Sequence, residues 1–245
     1  MSSWMSVWRC AALVVVVIAL VASASAPTWS DVLFYGGDPL GGGCSCTIGP
    51  GQLDSRVYDN FIVPSVCGRS SSWRVDCLFG YYAFDTTEPL TSAYYEIRQG
   101  ISRGNGGTLL YKGTADAALA GTFATRDNGD VYRVECPVSG LTLDPGEYWV
   151  TLAPIVTEPS KQYFVSLTEG VNGIGSPILD GLSFVDSPSY RYNWAPGSDW
   201  YGGRPDSSIG LIGKVLPEPA SLAALAAGLF GLCALDWRRY GVVRS

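Results

Sequence analysis

The chain has 245 residues, of which 47% are apolar and 16% are charged, and its formal net charge at pH 7 is −6. This length and apolar content allow one domain with a substantial core, and an acidic chain without a basic stripe is a poor partner for nucleic acid. The sequence contains no histidine, which excludes Ser-His-Asp and Cys-His catalysis, histidine metal sites and an imidazole pH switch.

A signal peptide is predicted at the N-terminus. Arg9 precedes an apolar stretch at residues 13–21, and small residues follow at 22–26. Signal peptidase cuts after such small residues. Because Pro27 disfavours a cut directly before it, we place cleavage after Ala24, so that residues 1–24 are removed. An uncleaved membrane anchor is the alternative.

Residues 25–216 are the predicted exported domain, and strand signals dominate it. Segments rich in β-branched and aromatic residues are bounded by Gly, Pro, Asp and Asn. They predict strands at residues 32–35, 57–63, 73–84, 93–98, 108–111, 131–138, 147–152, 162–167, 181–185, 190–194 and 209–215. Only residues 115–121 look weakly helical. Many short strands separated by turns predict an all-β fold, a single β-sandwich of jelly-roll type.

Five of the seven cysteines lie in this region, where export favours disulfides. Cys67 and Cys77 flank a short polar segment, and we predict that they pair. Cys136 would then pair with Cys46 or with Cys44, and the odd number leaves one free thiol. The Cys44-Ser45-Cys46 spacing does not match a zinc site.

Oxygen-rich segments offer weak calcium candidates. Asp59 stands beside Asn60, and Asp127 and Asp130 flank a second such loop. Calcium requires six to eight converging oxygen ligands, and neither segment has EF-hand spacing. Capping of turns by these side chains is the simpler interpretation. We therefore predict no cofactor and no metal, with a structural Ca²⁺ as the alternative.

Aromatic residues near the end of the domain are the candidate glycan-binding residues. Tyr190, Tyr192 and Trp194 alternate, which would place them on one face of a strand, and Trp200 and Tyr201 follow in a polar loop. Aromatic rings stack against the apolar faces of sugars. Hydrogen bonds would come from Asn193, Asp199, Arg204 and Asp206. The alternative is that these aromatic residues belong to the core.

A carboxylate-based glycoside hydrolase needs two carboxyl groups in a cleft. The available carboxylates are Asp76, Asp85, Glu88, Glu96, Glu135, Glu147 and Glu169. In residues 94–98, Tyr94, Glu96 and Arg98 alternate onto one face. Because no pair is singled out by the sequence, we assign no catalytic residues and predict that the chain is not an enzyme, with a glycoside hydrolase as the alternative.

The C-terminus combines a polar motif, an apolar run and basic residues. Pro217, Glu218 and Pro219 precede an uncharged run at residues 220–235, and Arg238 and Arg239 follow. A membrane span needs about 17–25 apolar residues, so we predict a transmembrane helix at residues 220–237. A buried amphipathic helix is the alternative, which the apolar character of all faces of the run disfavours.

This end resembles the PEP-CTERM sorting signal of bacteria that secrete exopolysaccharide. The resemblance implies that Pro217, Glu218 and Pro219 are recognised by an exosortase, and that Arg238 and Arg239 form the cytoplasmic stop of a transient inner-membrane span. Residues 217–245 would be the sorting signal. Asp236 and the tail at residues 240–245 depart from the family pattern.

Residues 58–63 and 143–150 also resemble segments of PEP-CTERM ectodomains, a likeness that implies a galactose-binding-like or related β-sandwich and carries no activity. We therefore expect an exported protein of the cell envelope or extracellular matrix, with signal peptidase and exosortase as processing partners. Its expected role is structural or adhesive, within exopolysaccharide. A carbohydrate-binding module that uses the surface aromatic residues is the alternative.

Overall fold

The computed structural model describes residues 31–50, 54–66, 69–84, 89–124, 130–158, 161–201 and 206–216. They form an all-β fold, as predicted, and belong to a compact unit that begins at Asp31. The predicted signal peptide at residues 1–24 and the sorting signal at residues 217–245 lie outside these ranges. Within them, no helix is long and apolar enough to cross a membrane.

Seventeen strands are described, with one short α-helix, α1 (Ser198–Tyr201), and a 3₁₀ turn at Pro188–Tyr190. The strands are β1 (Asp31–Tyr35), β2 (Cys44–Ser45), β3 (Arg56–Val63), β4 (Ser65–Val66), β5 (Arg69–Ser70), β6 (Trp73–Phe84), β7 (Ser92–Gln99), β8 (Thr108–Asp116), β9 (Ala118–Ala124), β10 (Asp130–Leu143), β11 (Gly146–Pro154), β12 (Tyr163–Val165), β13 (Leu167–Thr168), β14 (Phe184–Ser187), β15 (Tyr192–Pro196), β16 (Asp206–Ser207) and β17 (Ile209–Val215).

Two large antiparallel sheets contain most of these strands. The seven-stranded sheet has the order β1-β17-β6-β10-β9, and β12 pairs with both β6 and β2. The six-stranded sheet has the order β15-β14-β3-β11-β7-β8. Strands β13 and β16 form a separate two-stranded sheet, and so do β4 and β5.

Residues of both large sheets form one hydrophobic core, and Phe61 of β3 lies where they meet. Its ring centroid is 5.6 Å from that of Phe34 in β1 and 6.2 Å from that of Trp73 in β6. On its own sheet it lies 5.5 Å from the ring of Tyr148 in β11. Removal of such apolar surface from water is the main term that stabilises the fold.

The prediction of a weakly helical segment at residues 115–121 is wrong. The chain there passes from the end of β8 to the start of β9, and the buried Ala117 joins the two strands. Ala115 pairs with Ala93 of β7, and Leu119 pairs with Val134 of β10. The helical propensity of alanine is small, and pairing with two sheets outweighs it.

Bulges interrupt three outer strands of the large sheets. Register shifts leave an extra residue at Leu33 in β1, at Leu110 in β8 and at Ala120 in β9. A bulge bends the strand and breaks the regular row of unpaired backbone groups. These edges are therefore poor templates for the addition of a strand from another chain.

Candidate functional site

Four of the five predicted aromatic site residues meet around Trp200. The ring centroids of Tyr190, Tyr192 and Tyr201 lie 6.3, 6.1 and 6.1 Å from that of Trp200. Tyr190 and Tyr201 are 43% and 46% exposed, while Tyr192 and Trp200 are half-buried against the main core. We call these four residues the Trp200 cluster. The rings of Tyr190 and Tyr201 thus face solvent, while those of Tyr192 and Trp200 are held by packing.

Local backbone structure brings Tyr190 to this cluster. Pro188 starts the 3₁₀ turn, since its fixed φ angle suits the first helical position. The turn ends at Arg191, which has a left-handed φ of 60° and whose backbone N–H donates to the carbonyl of Pro188 at 3.1 Å. The Tyr190 hydroxyl donates to Oε1 of Gln162 at 3.2 Å, which fixes the outer end of the ring.

Helix α1 carries Trp200 and Tyr201. The backbone N–H groups of both residues donate to the carbonyl of Gly197 at 3.0 Å. The N–H of Gly197 in turn donates to the carbonyl of Ser183 at 2.8 Å. The helical turn is thereby attached to the segment that leads into β14.

Trp194 lies outside the Trp200 cluster, which corrects the predicted common face of Tyr190, Tyr192 and Trp194. Its φ of +50° breaks the alternation of β15, and Tyr190 precedes the strand. The Trp194 ring lies 4.9 Å from the ring of Tyr58 and 4.7 Å below the guanidinium carbon of Arg98. Trp194 thus packs on a second apolar cluster, formed by Tyr58, Ile101, Trp149 and Phe184.

A buried charge network lies beside Trp194 on the six-stranded sheet. Glu96 accepts hydrogen bonds from the hydroxyls of Tyr58, at 2.8 Å, and Tyr94, and from Nε of Arg98. Burial alone would raise the pKa of Glu96, but the hydrogen bonds from Arg98, Tyr94 and Tyr58 lower it below its usual value. Arg56 lies 3.5 Å from both Glu96 and Asp186. Through Arg98, whose guanidinium lies over the Trp194 ring, the network supports Trp194.

Asp59, the first calcium candidate, is buried and bound to backbone. Its Oδ2 accepts from the N–H of Ser207 at 2.6 Å, and its Oδ1 accepts from the N–H of Asn60 at 3.0 Å. Burial raises the pKa of Asp59, and the nearby carboxyl of Asp206 raises it further. Asp206, in turn, accepts from the N–H of Gly181 at 3.0 Å.

The other two calcium candidates are Asp127 and Asp130. Asp130 begins β10, and Asp127 lies outside the described residues. In the described part of the chain, no group of three or more His, Cys, Asp and Glu residues could hold a metal ion.

Three of the carboxylates considered for hydrolysis interact with other side chains of the protein. Glu135 lies 2.8 Å from Nη2 of Arg133, and Oε1 of Glu147 accepts from the side-chain amide of Asn60 at 3.2 Å. Glu96 belongs to the charge network described above. Asp85, Glu88 and the hydrogen-bond candidate Arg204 lie outside the described residues.

The predicted bridge between Cys46 and Cys136 is not formed in the structure, where both are buried free thiols. Burial raises the pKa of Cys46 to about 11 and that of Cys136 to about 12. Cys44 is also free and buried, and Cys77 is free and half-buried. The other predicted bridge joins Cys77 to Cys67, which lies outside the described residues; because Cys77 is a free thiol, this bridge is not formed in the structure either.

Comparison with protein-family models, with curated proteins and with solved structures gives no match to this chain. The Trp200 cluster is therefore interpreted from its own geometry. It presents two exposed tyrosine rings on a base of packed aromatic residues. The Tyr190 hydroxyl and the side-chain amide of Gln162, which are hydrogen-bonded to each other, add polar groups at its edge. Such a surface suits a ligand with flat apolar faces and many hydroxyl groups.

Proposed function

We propose that this chain is an exported, non-enzymatic β-sandwich protein of the cell envelope or extracellular matrix, which adheres to exopolysaccharide through the Trp200 cluster. The observation that carries the proposal is the exposure of Tyr190 and Tyr201, whose rings both lie next to the half-buried Trp200. Rings held in place lose little conformational entropy when a sugar stacks on them. The cluster thus serves as a weak contact that gains strength along a repeating polymer.

The proposed architecture is a jelly-roll-like sandwich. Two antiparallel sheets that share one core around Phe61 support this classification. The proposed route out of the cell rests on the sequence resemblance alone, in which Pro217, Glu218 and Pro219 are recognised by an exosortase. Cleavage there would release the domain from its transient inner-membrane span.

Binding to purified exopolysaccharide tests the proposed contact. Tyr201→Ala is expected to weaken binding of the exported region, residues 25–216, by about tenfold, which corresponds to ~1.4 kcal/mol. The reason is the loss of one stacking ring, while the core beneath it stays packed. Affinity is measured by co-sedimentation over a range of polysaccharide concentrations.

Leu119→Ala is the matched control. Leu119 lies on β9 and is 45% exposed, close to the exposure of Tyr201, but it has no place in the Trp200 cluster. Its replacement should leave affinity within about twofold of the wild type, as for other substitutions at exposed sites. Equal effects of the two variants, or an unchanged affinity of Tyr201→Ala, would reject the aromatic contact.

A further inference from the structure

The turn at residues 101–106, between β7 and β8, contacts the segment that carries the Trp200 cluster. Nη1 and Nη2 of Arg103 both donate to the carboxylate of Asp199, with 2.9 Å between Nη2 and Oδ1. Asp199 lies in α1, directly before Trp200. Two parallel hydrogen bonds fix the relative orientation of the guanidinium and the carboxylate, which a single contact does not.

Backbone contacts of the same turn hold the segment at a second point. The N–H of Gly104 donates to the carbonyl of Trp194 at 3.1 Å. Gly106 lies against the Trp194 ring so closely that a Cβ at this position would overlap it. Trp194 has the left-handed φ described above, a conformation that costs energy for a bulky residue and persists only where its surroundings enforce it. The turn supplies part of that enforcement.

We propose that Arg103 and Asp199 are positioning residues, which hold α1 so that Trp200 and Tyr201 complete the glycan-binding cluster. This inference rests on the proposed function of that cluster. Neither residue needs to touch the glycan. The turn and the Trp194 backbone fix one end of the segment, and the ion pair fixes the helical turn that follows it.

The exposure of the ion pair gives the site a dependence on ionic strength. The side chains of Arg103 and Asp199 are 67% and 36% exposed, so that salt screens their attraction. Hydrogen bonds from Arg103 hold the pKa of Asp199 below its usual value, which keeps the carboxylate charged into the acidic range. Order in α1 is therefore expected to decrease as salt concentration rises.

Hydrogen–deuterium exchange tests this role in the full-length chain, solubilised in mild detergent. Arg103→Ala is expected to speed exchange of the backbone amides of residues 197–201 by about threefold, with little change in the melting temperature. The exchanged pair Arg103→Asp with Asp199→Arg should restore slow exchange, because it rebuilds the attraction with the charges reversed. Arg74→Ala is the matched control. It removes an ion pair within β6, in which Nε of Arg74 lies 2.8 Å from Oδ1 of Asp76, and it should leave exchange at residues 197–201 unchanged.

Co-sedimentation with purified exopolysaccharide is measured on the same samples. The proposal expects Arg103→Ala to weaken binding by about threefold and the exchanged pair to restore it. Unchanged exchange in Arg103→Ala, or faster exchange that the exchanged pair does not reverse, would overturn the positioning role. If the wild type does not bind the polysaccharide at all, the proposed function fails, while the exchange measurement still decides whether the ion pair orders α1.

Discussion

Replacement of Phe61 by alanine is expected to lower the free energy of unfolding by about 3–5 kcal/mol. Phe61 is fully buried, and its ring contacts Phe34 and Trp73 of one sheet as well as Tyr148 of its own. Truncation removes apolar contacts with both sheets and leaves a cavity that strands fixed by hydrogen bonds cannot close. Urea unfolding of the exported region, followed by tryptophan fluorescence, measures the change.

The neighbouring residue provides the control for this experiment. Ile62 follows Phe61 in β3, points to the opposite face and is exposed. Ile62→Ala is expected to cost less than about 1 kcal/mol, because little apolar surface is lost from the interior. Similar losses for the two variants would mean that Phe61 does not join the sheets as the structure shows.

Stability is expected to fall as pH rises, because of the buried carboxyl group of Asp59, which lies near that of Asp206. Burial and the Asp206 carboxyl raise the pKa of Asp59 above that of an exposed aspartate in the unfolded chain, against the opposing hydrogen bonds from the N–H groups of Ser207 and Asn60. The folded state therefore binds the proton more tightly than the unfolded state. Its contribution to stability is fully present below the unfolded pKa, about 3.9, and is lost as pH rises towards the folded pKa.

Asp59→Asn is expected to flatten this pH dependence. One proton of difference between the folded and unfolded states gives a slope of about 1.4 kcal/mol per pH unit, and asparagine has no proton to lose in this range. Urea midpoints from pH 4 to pH 8 measure the slope for the wild type and the variant. Asp206→Asn should weaken it in part, since it removes the neighbouring carboxyl group while the burial of Asp59 remains. A wild-type slope that persists in both variants would show that the pH dependence arises elsewhere.

The strands were predictable where apolar and polar residues alternate clearly and turn residues such as Gly, Pro, Asp and Asn bound the segment. The segment predicted at residues 73–84 coincides with β6, and the one at 209–215 coincides with β17. Alternation along β3 also predicts the burial of Asp59. Asp59 shares its parity with Val57 and Phe61, which are buried core residues. That parity places its carboxyl in the interior, where a calcium site with exposed ligands is not expected.

The arrangement of the aromatic site was only partly predictable. Alternation placed Tyr190, Tyr192 and Trp194 together, but Trp194 has a left-handed backbone, and its ring packs against Arg98 and Gly106, which are distant in sequence. Local sequence patterns do not predict contacts between residues that are distant in sequence. The grouping of Tyr190 and Tyr192 with Trp200 likewise depends on α1 and its attachment to Ser183, a contact between segments that only the folded chain reveals.

The location of the mature chain in cells that secrete exopolysaccharide tests the proposed function most directly. Fractionation separates inner membrane, polysaccharide matrix and medium, and immunoblotting follows the wild type and the double variant Tyr190→Ala, Tyr201→Ala. We predict a shortened wild-type chain in the matrix fraction and an equally shortened variant in the medium. A wild-type chain that stays at full length in the inner membrane would contradict the proposal, as would equal matrix retention of the two forms.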